Sequence, residues 1–253
     1  MEEVQWQLQG KTFIITGASS GMGAETAKFL GGRGSNVVLQ GRDRARLKTI
    51  ADAVVKAGGK ALTVELDLEK PELMGQLVTE AMTEFGEIDG LVLNASLFEP
   101  RPIEETDLES LDRQWTTNVT SHFMIVKAAV PFMKPGSSII FVASTTGLAG
   151  FPGCSAYGGT KGAMASLGRN LAVEFGPLGI RVNTVAPGFV RTPMLTPILD
   201  AIPGYEEILI KETPAGRIGR PEEIGATIGF LLSGLAPYIN GVTLPVDGGW
   251  TAK

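Results

Sequence analysis

Short apolar segments rich in β-branched residues alternate with helical patterns along almost the whole of this 253-residue chain. The first segment, 12–16, reads TFIIT, and a glycine-rich stretch and a helical pattern at about 24–33 follow it directly. Successive parallel strands need a crossover connection, which is usually a helix. The alternation therefore predicts an α/β fold with a doubly wound parallel sheet, right-handed crossovers and helices on both faces.

The same alternation continues to the end of the chain. Seven strands are predicted at residues 12–16, 36–40, 61–66, 90–94, 138–142, 180–185 and 242–246. Helices are predicted at about 24–33, 43–57, 71–85, 107–133, 157–175 and 221–232, with a loop-rich stretch reaching about residue 219. No linker, internal repeat or low-complexity segment interrupts the pattern, so one domain, 1–253, is expected.

Composition excludes several classes of protein. Hydrophobic residues make up 43% of the chain and charged residues 19%, which argues against disorder. The net charge is −5, and the local basic cluster at 42–48 is interrupted by Asp43, so neither nucleic acid nor an anionic membrane is expected as a partner. The N-terminus is acidic and no apolar run could span a bilayer, which predicts a cytoplasmic protein.

Single residues limit the chemistry further. Cys154 is the only cysteine and His122 the only histidine, so no intrachain disulfide or cysteine-cluster metal site is possible and no metal is predicted. A hydrolase of the Ser-His-Asp or Cys-His type would have to be built around His122. Packing at a helix or subunit contact is the expected role of His122, and a small, partly buried thiol that of Cys154.

A glycine-rich turn lies where the first strand meets the first helix. Gly17, Gly21 and Gly23 allow a tight turn and let the backbone approach a pyrophosphate without a Cβ atom in the way. The helix N-terminus then offers free N–H groups and the positive end of its dipole to the phosphates. A plain turn with glycines is the alternative, and the flanking strand and helix favour the dinucleotide site.

A tyrosine and a lysine lie four positions apart in the segment 144–161. Tyr157 and Lys161 fall on one face of a predicted helix, where a nearby ammonium would lower the pKa of the phenol from about 10. Tyr157 could then exchange a proton with an alcohol or carbonyl oxygen. Ser144 follows a buried strand and could donate a hydrogen bond to the same oxygen. An exposed helical turn that happens to carry both residues is the alternative.

Taken together, these motifs resemble the short-chain dehydrogenase/reductase family over nearly the whole chain. They are Thr16-Gly17-x-x-x-Gly21-x-Gly23, Asp67-Leu68, Asn94-Ala95, Asn118, Ser144, Tyr157-x-x-x-Lys161, Pro187-Gly188 with Thr192, Gly219-Arg-Pro-Glu-Glu-Ile224 and Val246-Asp-Gly-Gly249. The resemblance implies a Rossmann-type sheet of order 3-2-1-4-5-6-7. It also implies a substrate lid at about 188–216 and a homotetramer formed through the 107–133 and Tyr157 helices.

The resemblance implies roles for individual residues. Tyr157 would be the general acid and base, Lys161 would bind the nicotinamide ribose, Ser144 would polarise the carbonyl, and Asn118 would hold a water that links Lys161 to solvent. Cofactor contacts are expected from Gly17, Ser19, Ser20, Gly21, Met22, Gly23, Arg42, Asp67, Leu68, Asn94, Tyr157, Lys161, Pro187, Gly188, Val190 and Thr192.

The end of the second strand favours NADP(H) over NAD(H). Enzymes that use NAD usually carry an acid there for the ribose hydroxyls, whereas this chain has Gly41 followed by Arg42. A guanidinium suits the oxygens of a 2′-phosphate. The alternative is that Arg42 only precedes a solvated helix capped by Asp43. Some NADP enzymes of the family carry a second basic residue at the position of Ser20, so in this chain the preference depends on Arg42 alone.

One position departs from the family pattern, since Ser96 replaces the glycine that often follows Asn94-Ala95. The function expected is an NADP(H)-dependent, reversible reduction of a ketone or aldehyde. The chain looks most like the 3-oxoacyl-thioester reductase and secondary-alcohol dehydrogenase group. An NAD-dependent dehydrogenase of a sugar, polyol or steroid alcohol is the alternative. A non-catalytic regulatory module that binds the cofactor is a third hypothesis, and the presence of both Tyr157 and Lys161 counts against it.

Overall fold

A seven-stranded parallel sheet forms the centre of the protein in a computed structural model, which describes residues 6–253. The strands are β1 (Thr12–Ile15), β2 (Asn36–Gly41), β3 (Lys60–Glu65), β4 (Ile88–Leu93), β5 (Met133–Val142), β6 (Arg181–Pro187) and β7 (Thr243–Val246). Their order is β3-β2-β1-β4-β5-β6-β7, and every pair of neighbours is parallel. The predicted fold class and strand order are confirmed.

Helices cover both faces of the sheet. They are α1 (Gly21–Gly31), α2 (Arg44–Lys56), α3 (Met74–Phe85), α4 (Leu108–Trp115), α5 (Ser121–Ala129), α6 (Ser155–Phe175), α7 (Thr196–Ala201), α8 (Tyr205–Glu212) and α9 (Pro221–Leu232). Side chains of a strand alternate between the faces, so Ile14 packs with α3, α5 and α6 on one side, and its neighbour Phe13 packs with α1, α2 and α9 on the other. Two buried apolar layers therefore enclose the sheet.

The predicted long helix at 107–133 is not one α-helix. It consists of α4, a π-helical turn at Thr116–Thr120, α5 and a short 3₁₀ turn at Val130–Phe132. Leu108 and Trp115, two apolar residues of α4, are exposed. The widened turn places Asn118 in the interior of the protein, and π-turns of this kind occur often at functional sites.

Two other boundaries differ from the sequence prediction. Helix α1 begins at Gly21 rather than near residue 24, so the second motif glycine is already in its first turn. The stretch predicted to be loop-rich contains two short helices, α7 and α8, whose apolar residues Leu199 and Leu209 form a small separate cluster with Ile218. Within residues 6–253, no helix is both long and apolar enough to cross a membrane.

Candidate active site

An open cleft of about 360 Å³ lies at the carboxyl ends of the central strands, where the strand order reverses between β1 and β4. In doubly wound sheets, ligands bind at this point. The cleft brings together most of the residues that were expected to contact a cofactor. These are Gly17, Ser19, Ser20, Gly21, Met22, Arg42, Asp67, Leu68, Asn94, Tyr157, Lys161 and Thr192.

The glycine turn leaves no room for side chains. Gly17 has a φ of +64°, and a Cβ atom on it would lie 2.8 Å from the Cα atom of Ala95. A Cβ atom on Gly23 would lie 2.4 Å from the carbonyl oxygen of Gly17, so Gly23 packs behind the turn rather than lining the cleft. Ser20, the N-cap of α1, makes no capping bond with its side chain. The first N–H groups of α1 are therefore available to an anion.

Asn94 connects β4 to the glycine turn. Its Nδ2 donates to the carbonyl oxygen of Thr16 at 2.9 Å, while the Thr16 hydroxyl accepts the backbone N–H groups of Asn94 and Ala95. The Oδ1 atom of Asn94 is buried and has no hydrogen-bond partner. Buried polar atoms are nearly always paired, so this oxygen on the cleft wall fits a bound ligand that carries a donor. The residues present thus fit a dinucleotide.

The end of β2 carries both positive and negative groups. Arg42 lies 3.7 Å from the carboxylate of Glu69 and 4.0 Å from that of Asp67, and its side chain is exposed. Arg46, in the first turn of α2, also lines the cleft. Asp43 caps α2 by accepting the N–H of Arg46 at 3.0 Å, so the helix cap and the cleft-lining arginine coexist.

Tyr157 stands in the first turn of α6, where the cleft meets a second cavity. The hydroxyls of Ser96 and Ser144 lie near its hydroxyl and lower the pKa of the phenol. The Ser144 oxygen accepts the Thr146 hydroxyl at 3.0 Å and the Thr146 N–H at 3.2 Å. Because Thr146 supplies these donors, the proton of Ser144 is free to point towards Tyr157 or a substrate oxygen.

Lys161 lies one helical turn after Tyr157 and is buried. Its ammonium donates to the carbonyl oxygen of Val142 at 2.9 Å and lies 5.4 Å from the centre of the Tyr157 ring. Burial lowers the pKa of Lys161 to about 7. The side chain of Lys161 therefore changes between its charged and neutral forms near neutral pH.

The pKa of Tyr157 moves in the opposite direction to the one predicted. Desolvation raises it to about 12, while the hydrogen bonds from Ser96 and Ser144 lower it. Burial also weakens the positive charge on Lys161, which was expected to supply the lowering. The expectation of a lowered phenol pKa is thus wrong, because loss of hydration outweighs the effect of the two neighbouring hydroxyls.

Asn118 lies in the π-turn, and both ends of its amide are engaged. Its Oδ1 accepts the backbone N–H of Leu97 at 2.7 Å and the hydroxyl of Ser96 at 3.1 Å. Its Nδ2 donates to the carbonyl of Leu97 at 2.9 Å and to the hydroxyl of Thr160 at 3.0 Å. The side chain therefore joins the loop after β4 to α6, and the predicted water at Asn118 stays a prediction.

His122 is buried within the chain on α5, which agrees with the predicted packing role but not with a contact between subunits. Its Nδ1 lies 3.0 Å from the carbonyl oxygen of Asn118, and its Nε2 lies 3.1 Å from the Thr16 hydroxyl. A carbonyl can only accept, so Nδ1 carries the proton and Nε2 accepts from Thr16. Burial and the nearby Lys161 lower the pKa of His122 to about 3, so the ring is neutral at physiological pH.

The second cavity is apolar and adjoins the cleft at Tyr157. Pro187, Gly188 and Val190, predicted as cofactor contacts, line this cavity together with Ser144. Aromatic rings surround it: Phe98 packs edge-on against Tyr157 at 4.7 Å, and Phe151 packs against Phe189 at 5.9 Å. Cys154 is a buried, unpaired thiol in the wall. Among the described residues, no charged side chain lines this cavity.

Sequence reasoning did not identify several residues of the site. Gln40 accepts the N–H of Gly17 at 3.1 Å and donates to the carbonyl of Leu66 at 2.6 Å, so it ties the glycine turn to the ends of β2 and β3. Thr117 lines the cleft, and its buried hydroxyl has no partner. Both belong to segments without a motif, so only their position in the fold reveals them. Over residues 6–253, no cluster of three or more His, Cys, Asp or Glu could hold a metal.

The sequence of this chain is similar to a family model and to known dehydrogenases over most of its length. A family model described as "Enoyl-(Acyl carrier protein) reductase" matches residues 17–251. The chain is 36% identical to a cis-4-hydroxycyclohexanecarboxylate dehydrogenase of Sinomonas cyclohexanicum over 242 residues, which cover 94% of this chain and 96% of that protein.

Two solved structures show the same fold. A short-chain dehydrogenase/reductase from Serratia marcescens superposes with a TM-score of 0.91 at 35% identity, covering 96% of this chain and 99% of that one. A short chain dehydrogenase from Burkholderia cenocepacia, solved in complex with NADP, superposes with a TM-score of 0.92 at 27% identity, covering 97% and 99%.

Proposed function

This chain belongs to the short-chain dehydrogenase/reductase family, and from that membership we propose that it is an NADP(H)-dependent enzyme in which Tyr157 is the general acid and base. The coarser activity, oxidoreduction between alcohols and carbonyl compounds, follows from the family itself. The observation that carries the proposal is the position of the Tyr157 side chain, at the junction of a polar cleft and an apolar cavity whose wall also contains Ser144.

The proposed mechanism uses the side chains around that hydroxyl. In reduction, Tyr157 gives its proton to the substrate oxygen as the carbonyl carbon becomes the alcohol carbon, and in oxidation it takes the proton back. Ser144, whose oxygen is held by Thr146, donates to the substrate oxygen and stabilises the charge that develops there. The nicotinamide supplies or accepts the hydride.

Lys161 and Asn118 support these steps. Lys161 has one backbone acceptor, Val142, and is close enough to the cleft to hydrogen-bond the ribose of a bound cofactor. Asn118, whose side chain bonds Thr160, the residue before Lys161, remains our proposal for the group that holds a water for proton supply. Gly17, Ser19 to Met22, Asp67, Leu68, Asn94 and Thr192 would hold the dinucleotide along the cleft.

The lining of the apolar cavity indicates which class of substrate the enzyme binds. Aromatic and aliphatic side chains line it, and no charged group is available there to pair with an anionic substrate. The Sinomonas relative is named for an alicyclic hydroxy acid, whose carboxylate this cavity would leave unpaired. We therefore propose a neutral alicyclic or aromatic ketone, with its secondary alcohol as the product.

NADP(H) is the cofactor that Arg42 and Arg46 support, because both guanidinium groups are close to the end of β2. The Burkholderia neighbour, solved with NADP, is consistent with this preference. A second candidate, an NAD-linked dehydrogenase, is favoured by the carboxylates of Asp67 and Glu69, which already pair with Arg42. A 2′-phosphate would have to displace these carboxylates from the guanidinium.

Paired titrations of NADPH and NADH by fluorescence would test the cofactor assignment. Replacing Arg42→Ala should weaken NADPH binding by about tenfold to a hundredfold, the loss of one charged phosphate contact, and leave NADH binding within about twofold. Lys48→Ala, which removes an exposed cation from the next turn of α2, is the matched control. Equal NADPH affinity in the Arg42 variant and the wild type would favour the NAD-linked enzyme.

Turnover of a carbonyl panel with the tighter cofactor would test the substrate class. The panel should contain cyclohexanone, aryl ketones, a 4-oxocyclohexane carboxylate, an acetoacetyl thioester, a sugar and a steroid ketone. We expect the neutral cyclic ketones to have the highest kcat/KM. Preference for the carboxylate or the sugar would contradict the argument from the uncharged cavity, and cofactor binding without any turnover would support the regulatory module.

A further inference from the structure

Ser96 is the residue at which the site departs from the family pattern, and its hydroxyl lies inside the proposed catalytic centre. It directly follows Asn94 and Ala95, whose N–H groups are fixed by the Thr16 hydroxyl. Ser96 lines the cleft together with Tyr157 and Lys161. A glycine at this position would place no polar group there, so the hydroxyl is an addition made by this chain.

Two partners surround the Ser96 hydroxyl. It donates to Oδ1 of Asn118 at 3.1 Å, and it lies near the hydroxyl of Tyr157 in the wall of the same cleft. The segment is held firmly in this position, because Leu97 bonds Asn118 through both its N–H and its carbonyl, and the Phe98 ring packs against the Tyr157 ring. Ser96 therefore lies between the tyrosine in α6 and the asparagine in the π-turn.

The Ser96 proton can change partners at little cost. Asn118 Oδ1 also accepts the Leu97 N–H at 2.7 Å, so it stays hydrogen-bonded when the Ser96 hydroxyl rotates away. While Tyr157 is neutral, Ser96 can donate to Asn118 and accept from the phenol. Once Tyr157 is ionised, the same hydroxyl can donate to the phenolate, and hydrogen bonds to a charged acceptor are stronger than neutral ones.

We propose that Ser96 is a catalytic residue of this enzyme, a hydroxyl that stabilises the ionised Tyr157 by turning its proton from Asn118 to the phenolate oxygen. The proposal rests on the acid–base role proposed for Tyr157. In oxidation the alcohol O–H bond breaks and the Tyr157 O–H bond forms, and Ser96 then returns its hydrogen bond to Asn118. Ser96 keeps its own proton throughout, so the step needs no further reactant.

The pH dependence of kcat in the direction of alcohol oxidation tests the role, because only the ionised tyrosine acts as the base. Without the hydroxyl, ionisation of Tyr157 loses one charge-assisted hydrogen bond. In Ser96→Ala and Ser96→Gly, the apparent pKa of kcat should rise by about one unit, with about a tenfold lower kcat below that pKa. The Kd of the cofactor should change by less than about twofold. Ser96→Thr, which restores a hydroxyl, should recover most of the shift.

Ser110→Ala is the control for a merely structural effect. Ser110 is buried and donates to Glu99 of the same loop at 2.6 Å, but it does not contact Tyr157. The Ser110→Ala variant should have the same apparent pKa of kcat as the wild type. An unshifted pKa in both Ser96 variants, whether kcat is normal or reduced, would overturn the proposal, and so would an equal shift in Ser110→Ala.

Tyr157→Phe separates this proposal from the one on which it rests. If the phenylalanine variant is inactive and the Ser96 variants keep the wild-type profile, only the role of Ser96 is lost. If the phenylalanine variant turns over at the wild-type rate, the acid–base assignment itself fails and the role of Ser96 fails with it.

Discussion

The protonation state of the Tyr157 hydroxyl depends on burial and on two neighbouring hydroxyls. Burial raises its pKa to about 12, and the neighbouring hydroxyls of Ser96 and Ser144 act in the other direction. The tyrosine is therefore protonated in the chain on its own, as a general acid for carbonyl reduction must be. In oxidation Tyr157 has to be ionised before it can accept a proton. The groups that donate hydrogen bonds to its oxygen therefore determine how readily the phenolate forms.

Tyr157→Phe removes the transferable proton and leaves the ring in place. We expect kcat to fall by at least about a hundredfold, within the usual contribution of general acid–base catalysis. Cofactor binding should hardly change, because the ring still packs against Phe98. Stopped-flow reduction of a cyclic ketone and a fluorescence titration of the cofactor would measure both quantities. Activity close to that of the wild type would refute the assigned mechanism.

His122 makes stability depend on pH. The buried ring has a pKa of about 3 in the folded chain, below its ordinary value of 6.5, so the unfolded chain binds the extra proton as the pH falls below about 6.5. Between pH 7.5 and 5, this residue should cost about 2 kcal/mol of the free energy of unfolding.

Urea denaturation at the two pH values would measure this loss, with His122→Gln as the variant that lacks the titrating ring. The wild type should lose about 2 kcal/mol more than the variant over that interval. An NMR titration of the single histidine gives a check without any substitution. A ring that titrates near pH 6.5 in the folded protein would contradict the prediction.

At the scale of secondary-structure elements, the turn between β1 and α1 depends on close backbone packing. A Cβ atom on Gly23 would lie 2.4 Å from the Gly17 carbonyl oxygen and 2.6 Å from Nδ2 of Asn94. The obstacle is backbone, which cannot rotate away as a flexible side chain can. The turn and the asparagine that frames the cleft would therefore have to move together.

Gly23→Ala should lower the free energy of unfolding by about 1–3 kcal/mol, as overpacking does, and weaken cofactor binding by more than about tenfold. Gly75→Ala in α3 is the matched control, because a Cβ atom there meets nothing within 4 Å. The control should be slightly more stable than the wild type, since alanine favours a helix over glycine. Equal stability of the two variants would show that the turn tolerates the methyl group.

The whole molecule exposes apolar side chains on the helices that were predicted to form a subunit interface. Phe123 in α5 is 45% exposed, and Val173 in α6 is 79% exposed. Apolar residues that remain exposed on helix faces in this way are often covered by a second copy. A homotetramer remains the expectation from the family.

Phe123→Glu with Val173→Glu should reduce the oligomer to a smaller species, because charges would be buried without partners at the interface. Size-exclusion chromatography with light scattering would give the mass in solution. Val55→Glu, a change at an exposed valine of α2, is the control and should keep the wild-type mass. A monomeric wild type, or an unchanged mass in the double variant, would exclude an interface at these helices.

Neighbouring residues in sequence are enough to predict the seven strands, most of the helices and the motifs of the site. Helix α9 was predicted with its observed ends, Pro221 and Leu232, because a proline and a run of apolar residues define it locally. The strand–glycine–helix unit at the N-terminus was recognisable for the same reason, since turn geometry and burial pattern depend on neighbours in sequence. The order of the strands came from the family resemblance.

The effects of distant residues on one another depend on how the elements pack. The π-turn at Asn118 breaks a helix that the apolar pattern predicted to be continuous, and Nε2 of His122 accepts its hydrogen bond from Thr16, which is 106 positions away in sequence. Ser96 reaches Asn118 across 22 positions, and the direction of the Tyr157 pKa follows from burial rather than from Lys161. Local patterns fix helices and strands, whereas desolvation and hydrogen bonding arise from packing between elements, which no spacing in the sequence encodes.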